Sequence, residues 1–435
     1  MIGIVADDIT GANDIGIMYA KAGLQTDVYT LDAWNPEAVA ADRPDVLIID
    51  TNSRLDQPQD AYRKVKQATE ALREAGCVKF INKTCSVFRG NIGSEFDAML
   101  DELSASFAVV VLGFPKNGRT TLGGVHYVRG QLLEESEFRN DPVHPMTESN
   151  LVSILQKQTA RLVGLLPIEI VERGADVLRA EIDRQRSLCS YLIVDVRDQE
   201  SLRIIAEAVQ DEPILCGSSA LSEESALLQA ASKSTADGSE AGDAPDNQSE
   251  ADRSGVLCAA GSLMPQTAAQ IAFAKKSGVE AFELDSLLLL ETGEREAHIT
   301  SLIEQVSSVL TAGRDCLVHA SNDPAKVAET KRRAAALGSG NTDVSRFVSE
   351  ALSSVIASIV ERTGQRRLLI AGGETSAAVC EALGARGLRL LREIEPGLPS
   401  CLAIGGGTPY LLVLKSGSFG SEPFFVKAIE HLKEL

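Results

Sequence analysis

No Cys-x-x-Cys pair occurs in this chain, although it carries 8 cysteines. Neither a thioredoxin-type redox site nor a zinc ribbon is therefore available. Cys77, Cys85, Cys189, Cys216, Cys258, Cys316, Cys380 and Cys401 are scattered, mostly inside apolar strand-like runs, and read as buried reduced thiols. The 5 histidines include no H-E-x-x-H pattern and no other metal-ligand spacing. There is no G-x-S-x-G elbow, which counts against a serine hydrolase, and no G-x-G-x-x-G dinucleotide fingerprint. Aromatic residues make up only 4%, with 1 Trp, too few for base-stacking platforms. Positive charge is also scarce: 42 Lys and Arg face 61 Asp and Glu, leaving a net charge of −19. That field disfavours a nucleic acid partner, while a small anionic substrate stays open because local cations can override it. No apolar run approaches the roughly 20 residues of a membrane span, and no basic segment with an apolar core precedes the first strand. The expectation is a cytoplasmic protein.

What is present is 435 residues with ordinary globular composition, 44% hydrophobic and 24% charged, enough for two or three full cores. One composition break divides them. Residues 232–254 (SKSTADGSEAGDAPDNQSEADRS) carry almost no bulky apolar side chain and cannot offset their ordering entropy, so they read as a flexible acidic linker. The expected domains are 1–231 and 255–435. Short apolar runs at 45–51, 78–84, 107–114 and 191–196 alternate with helical patterns such as Ala61, Val65, Ala68 and Leu72. The second part repeats the style with runs at 255–261, 315–321 and 367–373 and a helix at 347–362. Two α/β domains with mostly parallel sheets follow, with the active site expected in the cleft between them.

Residues 2–14 (IGIVADDITGAND) hold the strongest chemical signal. A buried strand ends in two adjacent carboxylates, Asp7 and Asp8, ahead of a helical pattern from Asn13 onward. In an open α/β sheet ligands sit at the carboxyl ends of strands. Paired acids there can orient a hydroxyl, take its proton or hold a metal ion. The competing reading is that Asp8 or Thr10 only caps the helix. Other polar sets follow later strands: Asn52, Ser53 and Arg54; then Asn82, Lys83, Thr84, Cys85 and Ser86; then Arg89, Gly90 and Asn91. Cations beside hydroxyl and amide groups suit a small polyhydroxy acid, and the alternative is that each is a solvated surface group.

Three turns of small residues follow strands in the second part: Gly261-Ser262, Gly372-Gly373-Glu374-Thr375, and Gly405-Gly406-Gly407-Thr408. The strand after the last ends in Lys415. Such turns let backbone amides approach phosphates, although any one alone is as readily a packing point. A further stretch, GFPKNGRTT (113–121), has P-loop spacing but Arg119 where lysine is required, and Pro115 removes one amide. It reads as a decoy for nucleotide binding; Lys116 and Arg119 either help hold an anionic substrate or are solvated.

In VADDITGAND, KTCSVFRGNIGSE, FPKNGRTTLGGVHYV, GSLMPQT, GGETSAAV, EPGLPS and KSGSFG, taken in order, the chain resembles the four-carbon acid sugar kinases. The resemblance implies an amino-terminal sugar-acid domain and a carboxyl-terminal ATP domain, with phosphorylation of a C4 hydroxyl. It carries Asp8, Arg54 and Lys83 through Ser86 over as substrate contacts. Ser262, Gly372 through Thr375 and Gly405 through Thr408 carry over as nucleotide contacts. Asp8 is the expected general base, with Asp7 in reserve. Arg54, Lys83 and Arg89 would grip the carboxylate, with Asn91 beside them, while Lys415 and Mg²⁺ offset phosphate charge. TGAND leans toward the kinases of D-threonate or D-erythronate. A 3-oxo-tetronate kinase and a non-catalytic sugar-acid binder are the alternatives, and a homodimer is the assembly to test.

Overall fold

The computed structural model describes residues 1–36, 43–141, 144–237, 255–291, 293–336, 338, 340–405 and 409–435. Gly406, Gly407, Thr408 and all but the first six residues of the 232–254 segment lie outside that set. Two compact units emerge, Met1–Gly242 and Asp243–Leu435.

In the first unit β1 (Ile2–Ala6), β2 (Thr26–Thr30), β3 (Val46–Asp50), β4 (Lys79–Lys83) and β5 (Ala108–Val111) alternate with helices. A small antiparallel sheet of β6 (Arg119–Leu122), β7 (Val125–Val128) and β8 (Gln131–Leu132) is inserted after β5. Then come β9 (Val163–Leu166), β10 (Tyr191–Val194) and β11 (Ile214–Gly217). The main order is β2-β3-β1-β4-β11-β5-β10-β9, every pairing parallel. These strands bury both faces, as their unbroken apolar runs require. After β1 the chain crosses to β2, returns through β3, and passes to β4 on the other side of β1. The carboxyl end of β1 is thus a topological switch point, where ligands collect.

Helix α1 (Ile9–Lys21) begins four residues earlier than the apolar pattern suggests. Asp8 is its N-cap in extended conformation, and its Oδ1 accepts from the Gly11 N–H at 2.6 Å. Helix α2 (Pro58–Glu74) buries the expected stripe of Ala61, Val65, Ala68 and Leu72, and α3 (Ile92–Glu102) packs against it. Helix α4 (Ala220–Asp237) runs past Ala231, so the segment assigned to the linker starts as helix.

The second unit repeats the winding. Strands β12 (Leu257–Ala260), β13 (Glu280–Leu284), β14 (Cys316–Ala320), β15 (Arg367–Ala371) and β18 (Leu411–Lys415) are parallel in the order β13-β14-β12-β15-β18. Here the switch point is the carboxyl end of β12, between β14 and β15. An antiparallel addition, β16 (Gly387–Glu395) and β17 (Leu398–Ile404), joins through β18. Helix α5 (Pro265–Lys276) follows β12. The long α6 (Asn341–Thr363) buries Leu352, Val355, Ile356 and Ile359 in the core, and α7 (Gly373–Ala382) follows β15.

Candidate active site

At the switch point of the first unit, tandem acids meet a guanidinium. Arg54 Nε and Nη2 donate to the Asp7 carboxylate at 2.7 Å each, and its Nη1 donates to Asp8. Asp8 thus caps α1, as one of its two readings expected, and its other carboxylate oxygen accepts from Arg54 in the polar cluster. Lys83 arrives from the end of β4. A methyl group at Gly11 would sit 2.8 Å from Asp8 Oδ1 and 3.0 Å from Lys83 Nζ, so only glycine lets these groups crowd α1.

Buried acids support this cluster from below. Burial raises the Asp7 carboxyl above the ordinary range, against the pull of Arg54. Burial also pushes Asp50, at the end of β3, up to about 7, although the Asn52 N–H opposes it. Glu95 on α3 is pushed up to about 8, first by burial and then by the nearby Asp7 charge. Its Oε1 accepts from Ser53 Oγ at 2.7 Å, and Ser53 Oγ lies 2.8 Å from Thr51 Oγ1. Asp50 and Glu95 escape a sequence reading because their acidity depends on burial; only the position of Asp50 at a strand tip hints at it.

The remaining expected substrate residues fall into distinct places. Thr84, Cys85 and Ser86 follow β4, with Thr84 and Cys85 buried. Thr84 Oγ1 has no partner within the protein. Arg89 donates to Asp141 at 2.6 Å and to Cys85 Sγ at 3.4 Å. Asn91 spends its amide on the carbonyls of Ser53 and Asp56, which fixes the Arg54 loop. His144 binds the carbonyl of Arg54 at 2.9 Å. The hairpin residue His126 is buried and held well below its usual pKa, at about 4. Its neutral ring donates from Nε2 to the Ser86 carbonyl and accepts at Nδ1 from Thr121. The GFPKNGRTT stretch forms a short turn and strand β6 rather than a P-loop. Lys116 within it is ion-paired with Glu223 at 2.7 Å.

In the second unit a cleft of ≈ 270 Å³ opens at the switch point. Gly261, Ser262 and Gly372 through Thr375 line it, together with apolar Ala320, Val327, Val344 and Val348 and polar groups that include Lys331 and Ser349. Three turns close on one point. A Cβ at Gly261 would lie 2.1 Å from Thr375 Oγ1, and one at Gly417 would lie 2.1 Å from Ser262 Oγ. Gly372 takes φ 126°, which L side chains rarely adopt, and opens α7 beside Ser262. Glycine there brings a helix N-terminus with free amides to the cleft, an arrangement suited to phosphates.

Gly405 is not part of this group. Strand β17 runs antiparallel to β18, so its carboxyl end lies at the amino end of β15, a strand length from Gly372. A Cβ on Gly405 would meet Arg386 and the Gly384 carbonyl, beyond the far end of α7. Of the third motif it is the Lys415–Gly417 end that reaches the cradle, while Gly406 through Thr408 lie outside the described residues. Lys415 itself is turned inward: Nζ donates to Thr267 Oγ1 at 3.0 Å and lies 3.4 Å from the Gly417 carbonyl oxygen. Burial lowers it to about 8. It is not among the residues lining the cleft.

Comparison with known proteins matches residues 2–225 to the "Sugar-binding N-terminal domain" family and residues 257–425 to the "Nucleotide-binding C-terminal domain" family. The 3-oxo-tetronate kinase of Pseudomonas savastanoi is 33% identical over 99% of this chain and 97% of its own length. That of Cupriavidus necator is 32% identical, with the same two coverages of 99% and 97%. A crystal structure of a Haemophilus influenzae protein superposes with a TM-score of 0.84 at 28% identity, covering 99% of this chain and 100% of that one. This chain belongs to the four-carbon acid sugar kinase family. It is thus a carbohydrate kinase with a sugar-binding first domain and a nucleotide-binding second one. Among the described residues no helix is long and apolar enough to cross a membrane. All 8 cysteines are free, and only Cys189 and Cys380 are less than fully buried.

Proposed function

We propose that this kinase transfers the γ-phosphoryl group of ATP to the C4 hydroxyl of a 3-oxo-tetronate. The single observation behind the substrate is full-length similarity to proteins bearing that name. The lean toward D-threonate drawn from TGAND gives way to the alternative named beside it. D-Threonate stays as the second reading.

Phosphoryl transfer asks mainly for positioning and charge neutralisation. In this reading Asp8 accepts the C4 proton as its oxygen attacks the γ-phosphorus, and ADP leaves in line. Arg54 holds both acids in place, and Lys83 offsets their charge. Gly261, Ser262 and the amino end of α7 cradle the phosphates, and the apolar wall of Val327, Val344 and Val348 receives the base. Mg²⁺ is assigned to ATP's own phosphates and to water. Among the described residues no group of three His, Cys, Asp or Glu is arranged to hold a metal.

The test is ADP release with 3-oxo-tetronate, D-threonate and D-erythronate, with the product's phosphate position read by NMR. Highest kcat/KM on the keto acid and a 4-phosphate product are expected. Turnover confined to D-threonate would promote the second reading, and absence of turnover on all three would end both.

A further inference from the structure

Phe138 lies beside two guanidinium groups. Arg89 Cζ is 5.3 Å and Arg119 Cζ 5.7 Å from its ring centroid. Arg119 begins β6, and its backbone exchanges hydrogen bonds with Phe114, just beyond the end of β5. The hairpin is therefore anchored at the same sheet end as Asp7, Arg54 and Lys83. His126 ties it further to the 84–86 loop through the Ser86 carbonyl. Arg119 is close enough to Cys85 and Arg89 to feel both electrostatically.

The cations of this cluster are unequally occupied. Arg54 is ion-paired with Asp7 and Asp8, and Arg89 with Asp141. Among the described residues Arg119 forms no ion pair; one Nη donates to the Asn117 carbonyl at 2.7 Å. Its Nε is buried without a partner, and so is Thr84 Oγ1 in the neighbouring loop. Buried donors are paired in the great majority of folded proteins, so two orphans at one end of the sheet call for a reason. A guanidinium edge takes a carboxylate through Nε and one Nη in parallel, and that edge of Arg119 has its Nε free.

We propose that Arg119 receives the substrate's carboxylate, beside Phe138 and the Arg89–Asp141 pair. Arg119 thereby selects four-carbon acids over neutral sugars of the same length. The inference rests on the sugar-acid reading above. It moves the carboxylate contact away from Arg54, whose charge is already taken by two aspartates.

Steady-state kinetics and titration calorimetry on wild type, R119M and R119K test it, using 3-oxo-tetronate, D-threonate and neutral D-threitol. In R119M the KM and Kd for the acids should rise roughly 30- to 100-fold, the worth of a charge-assisted pair, while kcat moves only a few-fold. R119K should recover part of the loss, and threitol turnover and the KM for ATP should hold within about threefold. Acid affinity within about threefold of wild type in R119M, or an equal loss for threitol, overturns the proposal. If R119M does not fold, R119K against wild type carries the same comparison. Calorimetry separates this inference from the kinase reading. Acids that bind through Arg119 without being phosphorylated support the inference and sink only the proposed reaction on these substrates, whereas turnover unaffected by R119M sinks only the inference.

Discussion

Arg54 holds Asp7 through two parallel hydrogen bonds of 2.7 Å, in the fork geometry that fixes a carboxylate in one orientation. Asp7 is buried, so the pair cannot be opened to water without cost. The arrangement makes Arg54 the positioning residue for the tandem acids.

Replacing Arg54 by Met leaves the Asp7 carboxylate buried and alone. A loss of about 3–5 kcal/mol in unfolding free energy is expected, read by urea denaturation. The double variant D7N/R54M removes the stranded charge and should regain much of that loss, a coupling that a double-mutant cycle measures. If D7N changes stability by the same amount in the wild-type and R54M backgrounds, the pair is not coupled.

Asp8 caps α1 and is the proposed proton acceptor, and one substitution separates the two. Asn caps helices about as well as Asp, so D8N keeps α1 intact and should leave the melting temperature nearly unchanged. It cannot accept the substrate proton. Turnover should fall by about 10²–10⁴, while ATP affinity measured by calorimetry stays within about twofold. Turnover within a few-fold of wild type would remove Asp8 as the base.

How far the sequence reaches is clearest at the two glycine motifs. Asp7 and Asp8 stand out because the apolar run of β1 ends abruptly at them, although capping of α1 accounts for Asp8 and the Arg54 pair for Asp7. Gly372 is legible for the same reason, since a strand, a small-residue turn and a helix stand in line. Gly405 misleads because a glycine turn after an apolar run looks alike whichever way the strand points. The clue was nearby: Leu398–Ile404 and Leu411–Lys415 are separated by too few residues for a parallel crossover, which needs a dozen or more. They must form an antiparallel hairpin, and Gly405, just past the end of the first of the two strands, lies at the other end of the sheet. Glu95 belongs to a different class, an omission: its raised pKa comes from burial beside charges distant in sequence, which no local pattern encodes. Arg119 stands in the sequence with two readings open, a contact to an anionic substrate or a solvated cation, and only its surroundings in the fold favour the first.

Two glycines with positive φ give the matching experiment. Gly372 sits at φ 126° in the cradle, and Gly405 at φ 96° at the opposite sheet end. Alanine at either position is strained by about 1–3 kcal/mol, so both variants should melt earlier. Only G372A should raise the KM for ATP, by about tenfold or more, because only it disturbs the turn against Ser262. A comparable rise in G405A would return the Gly405 hairpin to the nucleotide site.

The buried acids predict how stability depends on pH. Glu95 is raised from 4.5 to about 8, so between those values the folded protein keeps a proton that the unfolded chain has released. Its contribution to stability is complete below about pH 4.5 and is lost as pH rises through about 8. Asp50, raised to about 7, acts in the same direction over a lower window. His126, lowered to about 4, acts oppositely between about 4 and 6.5, and is common to wild type and variant. Glutamine at position 95 keeps an acceptor for Ser53 Oγ and removes the titration. The melting temperature of E95Q should therefore fall less than that of wild type between pH 5 and 8.5, and should exceed it at the upper end. Calorimetric scans across that range decide the matter: parallel curves for the two proteins would mean that Glu95 carries no extra proton in the folded state.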